Sequence, residues 1–165
     1  MSGASVTVDD GELRKLLNRL QRKLGDMSPI MDEIGATVAD NVRLGFNDGR
    51  DPWGHSWAPL SPVTIYRRRK KSSRPLRDTG RLMNSITHKA GRDYAVVGTN
   101  VEYAGTHQFG VRKGQFGKTR RGAPIPWGRI PARPFLPLRD GVAAIPREWS
   151  DEIIGILNRH IGESL

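Results

Sequence analysis

From Gly110 to Pro137 the chain never runs more than four residues without a glycine or a proline: Gly110, Gly114, Gly117, Gly122, Pro124, Pro126, Gly128, Pro131, Pro134 and Pro137. Proline lacks a backbone donor and turns the residue before it away from helix, and glycine weakens helix and strand interiors alike. No long helix or central strand can form there. Residues 110–130 are expected to be an extended loop or β-arm, and residues 131–138 an extended segment around Phe135, Leu136 and Leu138.

The core must therefore come from the flanks. Leu13, Leu16, Leu17, Leu20 and Leu24 recur at helical spacing after Asp10, a candidate N-cap, and Gly25-Asp26 ends that helix. Ser28-Pro29 is a cap followed by a proline at the first helical position. It opens a second helix with Ile34, Val38 and Val42 on its buried face, ending near Phe46. These two helices are expected to form an antiparallel pair or one kinked unit. Residues 47–60 are a loop rich in turn formers, with Trp53 and Trp57 anchoring it to the domain or to a partner. Ser61-Pro62 starts a short helix, and Thr79 caps another with Leu82, Met83 and Ile86 inward.

Residues 86–89 and 94–99 are β-prone and separated by the turn Ala90-Gly91-Arg92-Asp93, so they read as a hairpin. Periodicity leaves residues 103–109 open between helix and strand. Trp149, Ile153, Ile156, Leu157 and Ile161 define a last helix. The expected class is α+β: N-terminal helices, a small antiparallel sheet with an extended basic arm, and a C-terminal helix, all in one domain over residues 1–165. Residues 1–26 would be an N-terminal helix and residues 111–129 a projecting arm.

Charge is concentrated in the middle. Residues 66–139 hold 18 of the 27 Lys and Arg and only three acids, Asp78, Asp93 and Glu102, between two mildly acidic ends. Clustered cations suit phosphate contact, or equally the acidic face of a neighbouring protein. Nucleic-acid modules usually add a groove-reading helix or a platform of exposed aromatics, and the aromatics here are scattered among Pro and Gly.

Little in the chain suggests chemistry. Absent cysteine excludes disulfides, thiolate metal sites and a thiol nucleophile. No apolar run is long enough to span a bilayer and no signal-peptide pattern opens the chain, so a protein used without export and without a membrane is expected. Gly117-Lys118-Thr119 resembles the end of a phosphate-binding loop, but Arg112 stands where that motif needs its first glycine. His55, His88, His107 and His160 show no metal-ligand spacing. His107 is expected to be half-buried and hydrogen-bonded to backbone. Ser85 lies near His88 without the glycine frame of a nucleophile elbow, and paired carboxylates are missing. No catalytic, cofactor or metal site and no small-molecule substrate is expected.

Five blocks in order carry a resemblance: Trp57-Ala58-Pro59-Leu60-Ser61-Pro62-Val63-Thr64; Leu76-Arg77-Asp78-Thr79-Gly80-Arg81-Leu82-Met83-Asn84-Ser85-Ile86; Val97-Gly98-Thr99-Asn100; Tyr103-Ala104 with His107-Gln108-Phe109-Gly110; and Ile130-Pro131-Ala132-Arg133-Pro134-Phe135-Leu136. Their order over roughly residues 28–160 resembles the virion morphogenesis or tail-completion proteins of Mu-like and P2-like contractile phages. The resemblance implies a non-enzymatic virion protein that completes the tail or joins it to the head, as a ring subunit, commonly of six, at the neck. Implied partners are further copies of the chain and neighbouring neck, connector or tail proteins, with incidental contact to genomic DNA. The alternative is a basic nucleic-acid-binding phage protein.

Under that resemblance Asp78, Thr79 and Gly80 form a turn and cap, and Gly98 and Gly110 suit conformations or close approaches that larger residues resist. Tyr103 and His107 complete the structural motif. Trp53, Trp57, Arg112, Arg120, Arg121, Trp127, Arg133 and Phe135 are the candidates for subunit contact. The central cations are expected to meet acidic faces of neighbouring subunits rather than line a DNA channel, where they would drag on the genome.

Overall fold

A computed structural model describes residues 11–163 of the chain. The elements in order are α1 (Gly11–Leu24), α2 (Ser28–Asp48), α3 (Pro62–Arg67), α4 (Arg81–Asn84), β1 (Thr87–Ala90), β2 (Ala95–Gly98), α5 (Ala104–Phe109), β3 (Leu138–Arg139), β4 (Val142–Ala143) and α6 (Arg147–Glu163). The class is α+β. No helix among the described residues is long and apolar enough to cross a membrane.

The chain divides into two compact units. Unit 1 comprises residues 11–44, Ile86–Gly98 and 137–163. Its buried residues include Leu20, Ile34, Val38, Val42, Ile153, Ile156 and Leu157 from the helical stripes, joined by Met27, Ile30, Met31, Ile86 and Val97. The cap expected of Asp10 and the side chains of Leu13 and Leu24 lie outside the described residues. The expected pairing of the first two helices is replaced: α1 packs chiefly on α6. Gly25, at φ +69°, lets the chain break sharply after α1. Asp26 Oδ1 then accepts from Ser28 N at 3.0 Å and Ser28 Oγ at 2.7 Å. Asp26, rather than Ser28, supplies the acceptor at the start of α2.

The hairpin forms as read, with β1 and β2 antiparallel and His88 opposite Val97. A second hairpin, β3 with β4, turns at Asp140-Gly141, both at positive φ (51° and 78°). Successive positive φ values are what a two-residue hairpin turn requires, and Asp-Gly supplies them cheaply. Gly98 departs from expectation. Its φ is ordinary and an added Cβ would meet nothing within 4 Å, so neither conformation nor space demands glycine there.

One charged cluster ties α2 to α6 within unit 1. Glu33 Oε1 accepts from Arg159 Nη1 at 2.8 Å and its Oε2 meets His160 Nε2 at 2.8 Å. The hydrogen bond with His160 holds the Glu33 carboxyl below its ordinary value of 4.5, partial burial opposing and Arg159 adding. A lowered carboxyl pKa stabilises the fold above the unfolded value and loses that contribution as pH falls through the folded one. Glu33→Gln is therefore expected to lower stability by about 1 kcal/mol or less at neutral pH, since the cluster is partly solvated. The gap to the parent should close in melts taken below the ordinary glutamate range; a gap that widens in acid would contradict this.

Unit 2 comprises Gly45–Ser85 and Thr99–Leu136. Its aromatic centre is Phe46, with Trp57 edge-on and Phe135 tilted, each 5.4 Å between ring centroids. Ser61 caps α3 as expected, accepting from Thr64 N at 3.2 Å. At α4 the cap position falls on Gly80, whose φ of +80° suits glycine, while Thr79 Oγ1 accepts from Arg81 N at 3.3 Å. Thr79 thus satisfies the helix start from one residue further out than expected. Within residues 103–109, Ala104–Phe109 form the helix α5, with Tyr103 at its N-cap position.

Residues 111–130 fold back on themselves. Val111 and Ile130 exchange backbone hydrogen bonds at 2.9 and 2.8 Å, and Phe116 N donates to Ile125 O at 2.8 Å further along. A bridge between Lys118 and Pro124 lies near the tip. Gly110 stands at this loop's entry, against the returning chain: its φ is +71°, and an added Cβ would sit 2.7 Å from Ala132 N and 2.9 Å from Ile130 O. Those are backbone atoms, which cannot swing aside. Gly110→Ala is expected to cost at least about 2 kcal/mol from strain and overlap together. A thermal melt equal to the parent's would contradict that geometry.

Candidate functional site

Three prolines keep residues 131–137 extended, and unit 2 secures that strip with polar side chains. Gln108, buried on α5, donates from Nε2 to Leu136 O at 3.1 Å, and its Oε1 accepts from Phe135 N and Leu136 N, both at 3.0 Å. Arg133 N donates to His107 O at 2.7 Å. Arg133, a residue 4% exposed, donates from Nε to Ala58 O at 2.8 Å and from Nη2 to Pro59 O at 2.9 Å. Trp57 Nε1 donates to Pro134 O at 2.7 Å. The strip is thus fixed to α5 on one side and to residues 57–59 on the other, each bond having a backbone group at one end or both.

A cleft of about 610 Å³ opens beside this strip. Its walls come from Leu60, Ser61 and Thr64, from Leu76 and residues 78–82, from Tyr103 and His107, and from residues 129–131 with Arg133. Four of the five blocks that carry the resemblance meet here. The fourth in order supplies Tyr103 and His107, and only the block at residues 97–100 is absent from the wall. A second cavity, about 580 Å³, lies at the base of the 111–130 loop and shares Arg129 and Ile130.

Cations dominate the cleft: Arg68, Arg81, Arg129 and Arg133 line it, against one carboxylate, Asp78. Arg68 Nη1 is tethered to Arg74 O at 2.6 Å and Ser72 O at 3.2 Å, which orders the loop before Leu76. Arg81 lies 6.0 Å from the centroid of the Tyr103 ring, and Tyr103 meets His107 edge-on at 5.7 Å. His107 is half-buried as expected, but the expected hydrogen bond is missing: its Nδ1 is buried with no partner. Burial lowers the His107 pKa from its ordinary value, and the neighbouring charges of Arg133 and then Arg68 lower it further. Burial likewise lowers that of Arg133, with Arg68 adding to it. Such a cleft can hold an anionic group and pack apolar side chains beside it. Among the described residues no cluster of His, Asp or Glu is arranged to hold a metal ion.

The sequence-derived contact residues separate into two sets. Trp57, Arg133 and Phe135 are buried and used within unit 2. Trp53 is half-buried on the loop organised by Asp51, whose Oδ1 accepts from Trp53 N at 2.9 Å and His55 N at 2.8 Å. Arg112, Arg120, Arg121 and Trp127 all lie exposed on the 111–130 loop, Trp127 at 77% with Phe116 and Ile125 nearby in the same loop. Of the structural motif, Asp78, Thr79, Gly80, Tyr103 and His107 line the cleft, Gly110 lines the second cavity at the loop entry, and Gly98 lies in unit 1. Sequence reasoning missed Gln108, Arg68 and Arg81. Gln108 gave no signal beyond its place inside a block of the resemblance.

A model of the phage virion morphogenesis family matches residues 8–162. The Mu-like prophage FluMu G protein 2 of Haemophilus influenzae is 36% identical over 125 residues, covering 76% of this chain and 76% of that protein. No solved structure matches the chain.

Proposed function

The chain belongs to the phage virion morphogenesis family, and from that membership we propose that it completes the tail or joins it to the head, as one subunit of a ring at the neck. The observation that carries this reading is the family match across residues 8–162. The role is structural rather than catalytic, and six copies are the expected ring. The exposed loop supports it physically. Phe116, Ile125 and Trp127, set among Arg112, Arg120, Arg121 and Lys118, combine the aromatic and arginine character that protein interfaces favour. That loop is the surface we assign to contact with the next subunit or a neighbouring tail protein.

A phage carrying a nonsense codon in this gene tests the reading. Lysates should contain filled heads and separate or unfinished tails, with infectivity restored by the intact chain supplied in trans. Normal virions from the mutant would overturn it. The exposed cations of the same loop favour a second reading, contact with the genome. Salt-titrated binding to random duplex separates the two, because phosphate contact makes log affinity fall steeply with log salt.

A further inference from the structure

The cleft of unit 2 has an unbalanced charge. Arg68, Arg81, Arg129 and Arg133 face one carboxylate, Asp78, and among the described residues none of the four is ion-paired with it or with any other. Buried or half-buried cations normally find an anionic partner, and a cleft that gathers several without one is poised to accept it from outside. Two members are already fixed in place: Arg133 and Arg68 spend donors on backbone carbonyls, so their positions need no rearrangement on binding. Arg81, held against Tyr103, and Arg129 stand at the exposed rim. His107 also lines the cleft, and its Nδ1 is buried without a partner.

Between these charges the walls carry apolar side chains, Leu60, Leu82, Ile130 and Pro131 among them, beside the hydroxyls of Ser61, Thr64 and Thr79. A nucleic-acid backbone has nothing to place against such walls, and a duplex is too broad for a cleft of about 610 Å³. A polypeptide carrying carboxylates beside apolar side chains satisfies both kinds of surface. We propose that this cleft receives an acidic, apolar-flanked segment of a neighbouring polypeptide, whose carboxylates meet Arg81 and Arg129 at the rim. Four blocks of the family pattern then converge because they build a receptor, and the strip at residues 131–136 is its rigid wall. The proposal takes from the preceding section only that the neighbours are virion proteins. Its test uses the isolated chain, so it can fail while tail completion stands, and the reverse.

The probe is a fluorescein-labelled dodecapeptide of alternating glutamate and leucine, titrated into the full chain and followed by anisotropy. A glutamine-for-glutamate peptide and a random-sequence duplex serve as controls. The acidic peptide should bind, and the glutamine peptide should bind about tenfold more weakly or worse. The double variant Arg81→Glu/Arg129→Glu should weaken the acidic peptide by about tenfold or more, because like charges then face each other. Both side chains are exposed, and a thermal melt of the double variant verifies that it is folded. Arg120→Glu/Arg121→Glu, on the 111–130 loop, should leave peptide affinity within about twofold. The proposal is overturned by no measurable peptide binding, by equal binding of the acidic and glutamine peptides, by an unaffected Arg81→Glu/Arg129→Glu protein, or by duplex DNA that competes with the peptide for those two arginines.

Discussion

Phe135→Ala is expected to unfold unit 2 far below the melting temperature of the parent. The ring is 1% exposed and lies 5.4 Å from Phe46, which in turn holds Trp57. Truncating a buried phenylalanine removes its transfer free energy and leaves a cavity, together costing about 3–5 kcal/mol. For a chain of this size that corresponds to a fall of roughly 10 °C. Tryptophan fluorescence is the suitable probe, because Trp53, Trp57 and Trp127 all belong to unit 2. Trp127→Ala, made at an exposed position, should melt within about 1 kcal/mol of the parent. Had Phe135 been an anchor waiting for a neighbour, the two variants would exchange behaviour: Phe135→Ala would melt normally and fail only in assembly.

Gln108→Ala should cost about 3 kcal/mol for a different reason. The side chain buries little hydrocarbon but satisfies three backbone groups of the strip, Phe135 N, Leu136 N and Leu136 O. Each polar group left without a partner away from water costs about 1–3 kcal/mol. Gln108→Glu separates this account from simple packing. It keeps the shape and the acceptor oxygen but sets a carboxylate oxygen against Leu136 O and buries a charge. The glutamate variant should be no more stable than the alanine variant. Near-parental melting of either would mean that the strip is held by its prolines and by Arg133 alone.

Those two residues also mark where reading the sequence stops working. The long helices are legible because their apolar residues recur three and four apart. Val38, Val42, Ile153, Ile156 and Leu157 are all buried as the spacing requires. The first hairpin is legible from two β-prone runs around a short turn. The second was missed because each strand is two residues long, although Asp140-Gly141 carries the turn signal. At α5, six residues make fewer than two turns, too few for periodicity to choose between helix and strand. Helix partners are less legible still: α1 takes α6 rather than its neighbour in sequence, because a buried stripe states that something covers it and not what.

The candidate site divides along the same line. Asp78, Thr79, Gly80, Tyr103 and His107 were found together as parts of an ordered pattern, and they line one cleft. Their convergence is a tertiary fact that no spacing reports. Arg133 and Phe135 look like contact residues in a stiff, proline-flanked strip. Arg133 is buried because carbonyls of Ala58 and Pro59, some 75 positions earlier, accept its protons. A charged residue that is satisfied by backbone leaves no complementary charge in the sequence to betray it. Arg112, Arg120, Arg121 and Trp127 are exposed, since a glycine-rich loop that folds back on itself has no interior in which to hide them.

We propose that this family member sits at the junction of tail and head. Localisation in intact virions by electron cryomicroscopy tests it most directly. The expected result is a ring of density at the neck or at the head-proximal end of the tail, into which unit 2 fits with the 111–130 loop against the next subunit. Density for this chain along the tail tube or at the distal end, or its absence from purified virions, would contradict it.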